Sequence, residues 1–386
     1  MSASQTLSVI PASTRPAQAR QPGIIIDQFL IAMNAPSIIA LVHPAVLREE
    51  NNLNIEVCTT PDVFEALGDE WDALLNRSPA NLIFLTREWQ QTWWEAYHPG
   101  DLWVVVGRDD DGALLGIAPW FVEHRPDERV IRTIGCVDVT DYLEIIAAET
   151  LEKSFFVALA RHLAATEGDF DRLSLCNIPE DSPTLKLLPA VLEEHGFRVE
   201  ITQQEVCPIL HLPEDWDSYL AYLNKKQRHE LRRKLRRAGT QVAWYIVGPE
   251  HDLNTETERF LCLMAASGEE KVAFLQDERN VAFFRAMIPR LMAQGWLQLS
   301  FLTINGEPAA TYLNFDYKGR ILVYNSGQDN ERFGALSPGI VLLAHNIRHA
   351  IEQGRTVFDF LRGNEPYKYQ MGGQDTRVFR LTAARA

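Results

Sequence analysis

No two of the five cysteines, at positions 58, 136, 176, 207 and 262, form a CxxC pair, and no cysteine–histidine cluster has zinc spacing. An odd, scattered set predicts reduced thiols and no structural metal. The chain has no Gly-x-x-x-x-Gly-Lys loop, no Gly-x-Gly-x-x-Gly turn after a strand, no His-Glu-x-x-His pair and no Gly-x-Ser-x-Gly elbow. Those absences remove the commonest nucleotide-binding, zinc-hydrolase and serine-hydrolase readings. Positive charge is short as well: 37 Lys and Arg stand against 52 Asp and Glu, a net charge of −15. That balance argues against DNA, and against RNA, as a general partner.

A long clean apolar run is also missing. Residues 1–23 are rich in Ala, Ser, Thr, Gln and Pro and are expected to be disordered. The following "IIIDQFLIAMNAPSIIALVHPAV" is broken by Asp27, Asn34, Pro36 and His43. A spanning helix needs about 20 mostly apolar residues with its backbone satisfied internally. A secretory leader wants a cleaner apolar stretch ahead of a small-residue cleavage site. Residues 1–53 therefore read as a disordered or partly ordered extension, with membrane association or targeting as the alternative, and the protein as cytoplasmic.

From Asn54 onward strands and helices are mixed. "IEVCTT" has strand character, and "PDVFEALGDEWDALLNR" a helical one with Pro61 where a missing N–H does no harm. Thr86 is placed to cap the helix "TREWQQTWWEAYH". Trp89, Trp93 and Trp94 on it read as core or domain-interface packing. The pattern predicts one long helix over 215–238 closed by Gly239. A three-strand meander follows, turning at Asn305-Gly306, and "TVFDFL" reads as the last strong strand.

The chain resembles itself. "LWVVVGRDDDGALLGIAPWFVE" and "LQLSFLTINGEPAATYLNFD" share a strand–turn–strand pattern. Each is followed by a strand, a long helix and a strand ending in polar residues. A repeat at this spacing points to duplicated domains, with two unrelated α/β halves as the alternative. The expected class is α+β, with lobes at 54–212 and 213–386 and mixed, mostly antiparallel sheets flanked by helices.

The chemistry-bearing residues gather late in the chain. Ser337 precedes Pro338 and a helical pattern, the usual order of a cap and first residue. Free N–H groups and the dipole at that helix start favour an anion. Gly334 and Gly339 allow close approach, and Arg332 adds charge. Asp359 lies in an apolar strand, so its carboxylate must be paired or held protonated. It is a candidate base or anchor, or a structural partner of an arginine such as Arg362. Glu365, Tyr367 and Lys368 follow a turn and can converge on a ligand. The basic run "NKKQRHELRRKLRR" over 224–237 has an apolar seam at Leu220, Leu223, Leu231 and Leu235, leaving charge for a solvated face, for phosphates, for an RNA acceptor stem or for a membrane surface. His345 and His349 have the spacing of a metal pair but no third ligand, and read as a solvent face.

At "NLIFLTREWQQTWWEAY", "NKKQRHELRRKLRR", "ALSPGIVLLAHNIRHAIEQG" and "FDFLRGNEPYKYQMGG" the chain resembles GNAT-type acetyltransferases of the bacterial cellulose and polysaccharide-biosynthesis class. These are relatives of the Fem peptidyltransferases, with two tandem acyltransferase-fold halves. The resemblance covers roughly residues 54–380. It implies acyl transfer, acetyl in the first instance, from acyl-CoA as co-substrate to a small-molecule or saccharide amine, without a metal. Peripheral association with envelope biosynthesis machinery is left open. In that reading Asp359 or Glu365 takes the amine proton, the strand "ILVYNS" supplies an oxyanion N–H, and Tyr324 or Tyr367 protonates the thiolate. Arg332, Gly334, Ser337 and Gly339 hold the pyrophosphate, and Arg362 and Lys368 the acceptor. "RFGALSPG" departs from the family's usual pyrophosphate pattern, and "TLEKSFF" in the first half has no glycine there, which puts the active cleft in the second half. Two alternatives remain: an aminoacyl-tRNA-dependent transferase of Fem type, and a non-catalytic accessory protein of exopolysaccharide assembly.

Overall fold

The computed structural model describes residues 53–136, 139–166 and 168–386; the extension expected before Asn54 lies, Leu53 apart, outside them. The first half runs β1 (Asn54–Cys58), α1 (Asp62–Asn76), α2 (Arg87–Tyr97), β2 (Asp101–Arg108), β3 (Leu114–His124), β4 (Arg129–Thr133), β5 (Ile146–Ala147), α3 (Glu152–Ala165), β6 (Arg172–Pro179), α4 (Pro183–Glu194) and β7 (Phe197–His211). The second runs α5 (Trp216–Tyr222), α6 (Lys225–Ala238), β8 (Val242–Ile246), α7 (Leu253–Ala265), α8 (Glu269–Gln276), α9 (Glu278–Ala293), β9 (Leu297–Ile304), β10 (Glu307–Tyr317), β11 (Arg320–Gln328), α10 (Asn330–Phe333), α11 (Pro338–Glu352), β12 (Val357–Asp359), α12 (Pro366–Gln370) and β13 (Gln374–Arg385).

The strands form one sheet in the order β1-β2-β3-β4-β6-β13-β7-β12-β11-β10-β9-β8, with β5 added to β3. Read from either end, the order has the same meaning. β1 matches β8, the meander β2-β3-β4 matches β9-β10-β11, and β6 matches β12. The two parallel contacts, β4 with β6 and β11 with β12, occupy equivalent places. The last strand of each half is exchanged: β13 pairs with β6 of the first half, and β7 pairs with β12 of the second. The two exchanged strands then pair with each other along their length, from Gln374 opposite Ile209 to Arg385 opposite Phe197.

Alternation along the strands builds a core on each face. On one face Leu102, Val104 and Val106 of β2 join Trp71, Trp89, Phe260, Phe283 and Phe315, a cluster drawn from both halves. Trp89 meets Phe283 at 5.3 Å, Phe315 at 5.6 Å and Tyr324 at 5.3 Å between ring centroids, so it packs between the halves. On the opposite face α3 and α4 cover the first half, and α5, α6 and α11 cover the second.

Three readings of the sequence need correction. The predicted helix over 215–238 is two helices. Asn224 breaks it, its side chain accepting from Gln227 N at 2.9 Å while Gln227 Oε1 accepts from Asn224 N at 3.1 Å. "TVFDFL" gives only the three residues of β12, and the last strong strand is β13. Cys136 and Cys176, expected as free thiols, are joined as a disulfide with Cα atoms 6.2 Å apart. Their separation of 40 residues hides that β4 and β6 are neighbours.

The first half closes its own cleft. β4 and β6 pair only at Val130–Arg172 and Ile131–Leu173, then part. Residues 139–148, all buried, run into the gap. Leu143 N donates to Asn177 O at 3.0 Å, Asn177 Nδ2 donates to Thr140 O at 2.8 Å, and Ala148 N donates to Leu115 O at 2.9 Å. Glu144 lies at the start of α4, accepting from Thr184 Oγ1 and, at 2.8 Å, from Ile145 N. Burial pushes its carboxyl up from 4.5 to about 7.

Two outcomes follow from this architecture. Expressed separately, residues 54–212 and 213–386 are expected to stay unfolded by circular dichroism and to fold when mixed; a cooperative thermal transition from either half alone would show the strand exchange to be dispensable. Because the folded state holds the Glu144 proton more tightly, its contribution is complete below about pH 4.5 and is lost as pH rises through about 7. Glu144→Gln is expected to remove a decline on the order of 3 kcal/mol across that window in urea unfolding; parallel pH profiles for the two proteins would refute it.

Candidate functional site

In the second half the equivalent gap lies between β11 and β12. They pair in parallel from Arg320–Val357 to Leu322–Asp359 and no further. β11 continues to Gln328 without a partner on that side, and Tyr324 is the extra residue of a bulge against β10. β12 stops because the chain turns, with positive φ at Leu361 and Gly363. Asp359 fixes that turn. It is 0% exposed and accepts from Leu361 N at 2.9 Å, from Tyr142 Oη at 3.1 and 3.2 Å, and from Arg320 at 3.1 Å. Burial raises its pKa, and the Arg320 charge opposes that rise.

The arginine partner is therefore Arg320, not Arg362. With both oxygens engaged by three donors, Asp359 acts as the anchor of the strand end. Lys368, expected to bind substrate, is 2% exposed and turned inward. Its Nζ donates to the carbonyls of Leu361 (3.1 Å), Arg362 (2.5 Å) and Gly363 (3.2 Å) and lies 3.0 Å from Glu365. An ammonium has three protons, so this one is spent on holding the loop. Glu365 keeps an exposed side chain.

The two tyrosines lie apart. Tyr324 belongs to the core shared by the halves, and its hydroxyl donates to Val139 O at 2.7 Å. Tyr367 packs against the core under α11, with Phe360 at 6.4 Å. Burial pushes both phenols upward.

The start of α11 differs from the expected cap. Ser337 has left-handed backbone (φ 53) and makes no capping bond. Its Oγ accepts instead from Lys234 Nζ of α6 at 2.8 Å. The helix N–H of Gly339 donates to Gln328 Oε1 at 3.2 Å, and a Cβ on Gly339 would lie 2.4 Å from that oxygen. Arg332 is taken up by Glu307 and Asp329 and lies over Phe333. Gly334 sits in the turn Gly334–Leu336 with an ordinary φ of −54. Of the expected pyrophosphate residues, Ser337 and Gly339 thus meet at the helix start, where a side-chain oxygen and a cation already face each other. Beside them is a cleft of about 460 Å³, lined by Lys226, Glu230, Leu231 and Lys234 of α6, by Ile340, and by Gln370 and Met371.

A second polar group lies at the free end of β11. Arg362 Nε donates to Asp141 at 3.0 Å, and Lys271 Nζ donates to Asn325 Oδ1 at 2.7 Å. Asp141 and Tyr142 come from the segment that plugs the first half. The basic run over 224–237 pointed to the stretch that holds Lys234, but the sequence reading missed Asp141 and Tyr142, together with Lys271, Arg320 and Gln328. None carries a periodic or motif signal, and Arg320 reaches Asp359 only through the strand register. His345 and His349, expected on a solvent face, are half-buried against Trp244, the first stacked at 5.2 Å. Among the described residues no group of three or more His, Cys, Asp or Glu could hold a metal.

Residues 225–369 match the family model described as Acetyltransferase (GNAT) domain. The crystal structure of FemX aligns with a TM-score of 0.56 at 14% identity, covering 85% of this chain and 96% of that one. A conserved protein of unknown function from Bacteroides thetaiotaomicron VPI-5482 aligns at 0.54 and 15% identity, covering 86% of this chain and all (100%) of that one. No curated protein sequence matches. The stretch from α6 to α12 is thus similar to a GNAT acetyltransferase domain, and the described chain has a mixed α/β fold whose strand order repeats in the two halves of a mostly antiparallel sheet.

Proposed function

We propose that this protein is an N-acyltransferase moving an acyl group, acetyl in the first instance, from acyl-CoA to an amine. The observation that carries the reading is the opening between β11 and β12 beside the start of α11, where Lys234 stands. Helix N–H groups and an ammonium suit a pyrophosphate. The Gln328 oxygen on Gly339 N is the neutral stand-in that such an anion would displace.

The acyl carbonyl would lie against the unpartnered run of β11 after its bulge, where a backbone N–H can stabilise the oxyanion. The amine loses a proton as its nitrogen bonds the carbonyl carbon; the C–S bond breaks and the thiolate is protonated. Glu365, with its exposed side chain, is better placed to take the amine proton than Asp359. Tyr324, at the bulge, is better placed than Tyr367 to give the departing thiolate its proton. Arg332 and Gly334 are assigned no role. A setting in polysaccharide or envelope biosynthesis is carried by the sequence resemblance. No helix among the described residues is long and apolar enough to cross a membrane. The exposed Arg232, Arg236 and Arg237 of α6 favour a second reading, an aminoacyl-tRNA donor docked on that helix.

Titration calorimetry with acetyl-CoA and desulfo-CoA tests the first reading. Binding is expected, and Lys234→Met is expected to weaken it by about 10- to 100-fold, as loss of a charge-assisted contact does. No binding at millimolar concentration removes the acyl-CoA reading. Asp359→Asn is expected to cost about 2–4 kcal/mol in urea unfolding, because it breaks a buried, fully bonded carboxylate site. An unchanged stability with turnover lost and acetyl-CoA affinity kept would return Asp359 to catalysis.

A further inference from the structure

The cations at the mouth of the opening are not equivalent. Arg362 has Asp141 in contact at 3.0 Å, and Lys368 has Glu365 at 3.0 Å. Lys271 rises from α8, a helix with no fully buried residue, yet its own side chain turns inward to Asn325. Its contact partner is a neutral amide oxygen, and among the described residues no carboxylate lies within 4 Å of its Nζ. Glu365 and Asp141 act on it only at longer range, and burial lowers its pKa. Withdrawing an ammonium from water without a counter-ion in contact is costly, and such groups concentrate where a ligand completes them.

The position says which ligand. Asn325 follows the bulge residue Tyr324 directly, on the part of β11 that has no partner toward β12. That is where the acyl carbonyl and the attacking amine would meet. Lys271 is bonded to Asn325, and two carboxylates, Asp141 and Glu365, each already paired with another cation, lie within electrostatic reach of that ammonium. A polyamine would put more positive charge beside Lys271, and a simple amino sugar would leave it without a counter-ion. An amine that also bears a carboxylate gives Lys271 its missing counter-ion and brings its own positive charge to the side where the two carboxylates lie.

We propose that the acceptor is an amino acid or a close zwitterionic analogue, its carboxylate bound by Lys271 with Asn325 holding that side chain, and its amine facing Glu365 and Asp141. The inference rests on the acyl-transfer reading above. Lys271 is a specificity residue in this scheme.

The full-length protein is assayed by product mass with acetyl-CoA and a panel of L-amino acids, each paired with its carboxamide. Binding of the same compounds is measured by calorimetry without the thioester. At least one amino acid is expected to be acetylated with kcat/KM about 10-fold or more above its carboxamide, the usual worth of a charge-assisted contact. Lys271→Met is expected to collapse that ratio toward one through a higher KM for the acid, and Lys271→Arg to restore part of it. Thermal unfolding of both variants shows whether they fold. An equal fall in kcat for acid and amide, with the ratio kept, would make Lys271 an oxyanion donor and overturn the proposal. So would a wild-type protein that does not distinguish the pair. If acetyl-CoA fails to bind, the acyl-CoA reading falls; amino-acid binding that depends on Lys271 would still support the site, and its absence would overturn it.

Discussion

The pairing of β13 with β7 is the contact on which the rest of the structure depends. Each strand belongs to one half in sequence and to the other in its outer pairing. Neither half can satisfy the backbone of its penultimate strand without the other, and unpaired backbone groups at the middle of a sheet are costly. The core that includes Trp89, Phe315 and Tyr324 adds apolar burial to the same join. The two halves share one sheet rather than standing as two domains on a linker.

Within that symmetric frame the two openings have diverged. In the first, the segment over 139–148 fills the space, Glu144 occupies the helix start, and a disulfide ties Cys136, just past β4, to Cys176 of β6. In the second, the strand end is held apart by Asp359 and by Lys368 from within the loop. The plug also reaches across. Tyr142 bonds Asp359 and Asp141 bonds Arg362, so the filled opening supplies walls to the other. This division gives a physical reason for placing the proposed site in the second lobe: the segment that fills the first opening supports the second.

Much of the element order was legible. The alternation over 102–123 and 297–316, the Asn305-Gly306 turn and the amphipathic pattern after Pro338 each signal a strand, a hairpin or a helix by local rules, and each is present. Local rules also misled. Asn224 is an exposed-looking polar residue inside a helical pattern, and its reciprocal bond with Gln227 ends one helix and starts another. β13 is paired on both sides yet has only three buried residues, Val378, Leu381 and Ala383, so its apolar alternation is weak.

By itself the sequence determined that the chain is a mixed α/β repeat, and that the polar residues after position 330 cluster near one helix start and one strand end. Their roles were decided by the tertiary structure. A buried carboxylate or ammonium is defined by its neighbours, and those of Asp359 and Lys271 come from elements far apart in the chain: Tyr142 from 217 positions away, Asn325 from 54. Local sequence does encode turn and helix preferences, because those depend on a residue and the few beside it. It does not encode which charge meets which across a sheet, because strand register and exchange set that.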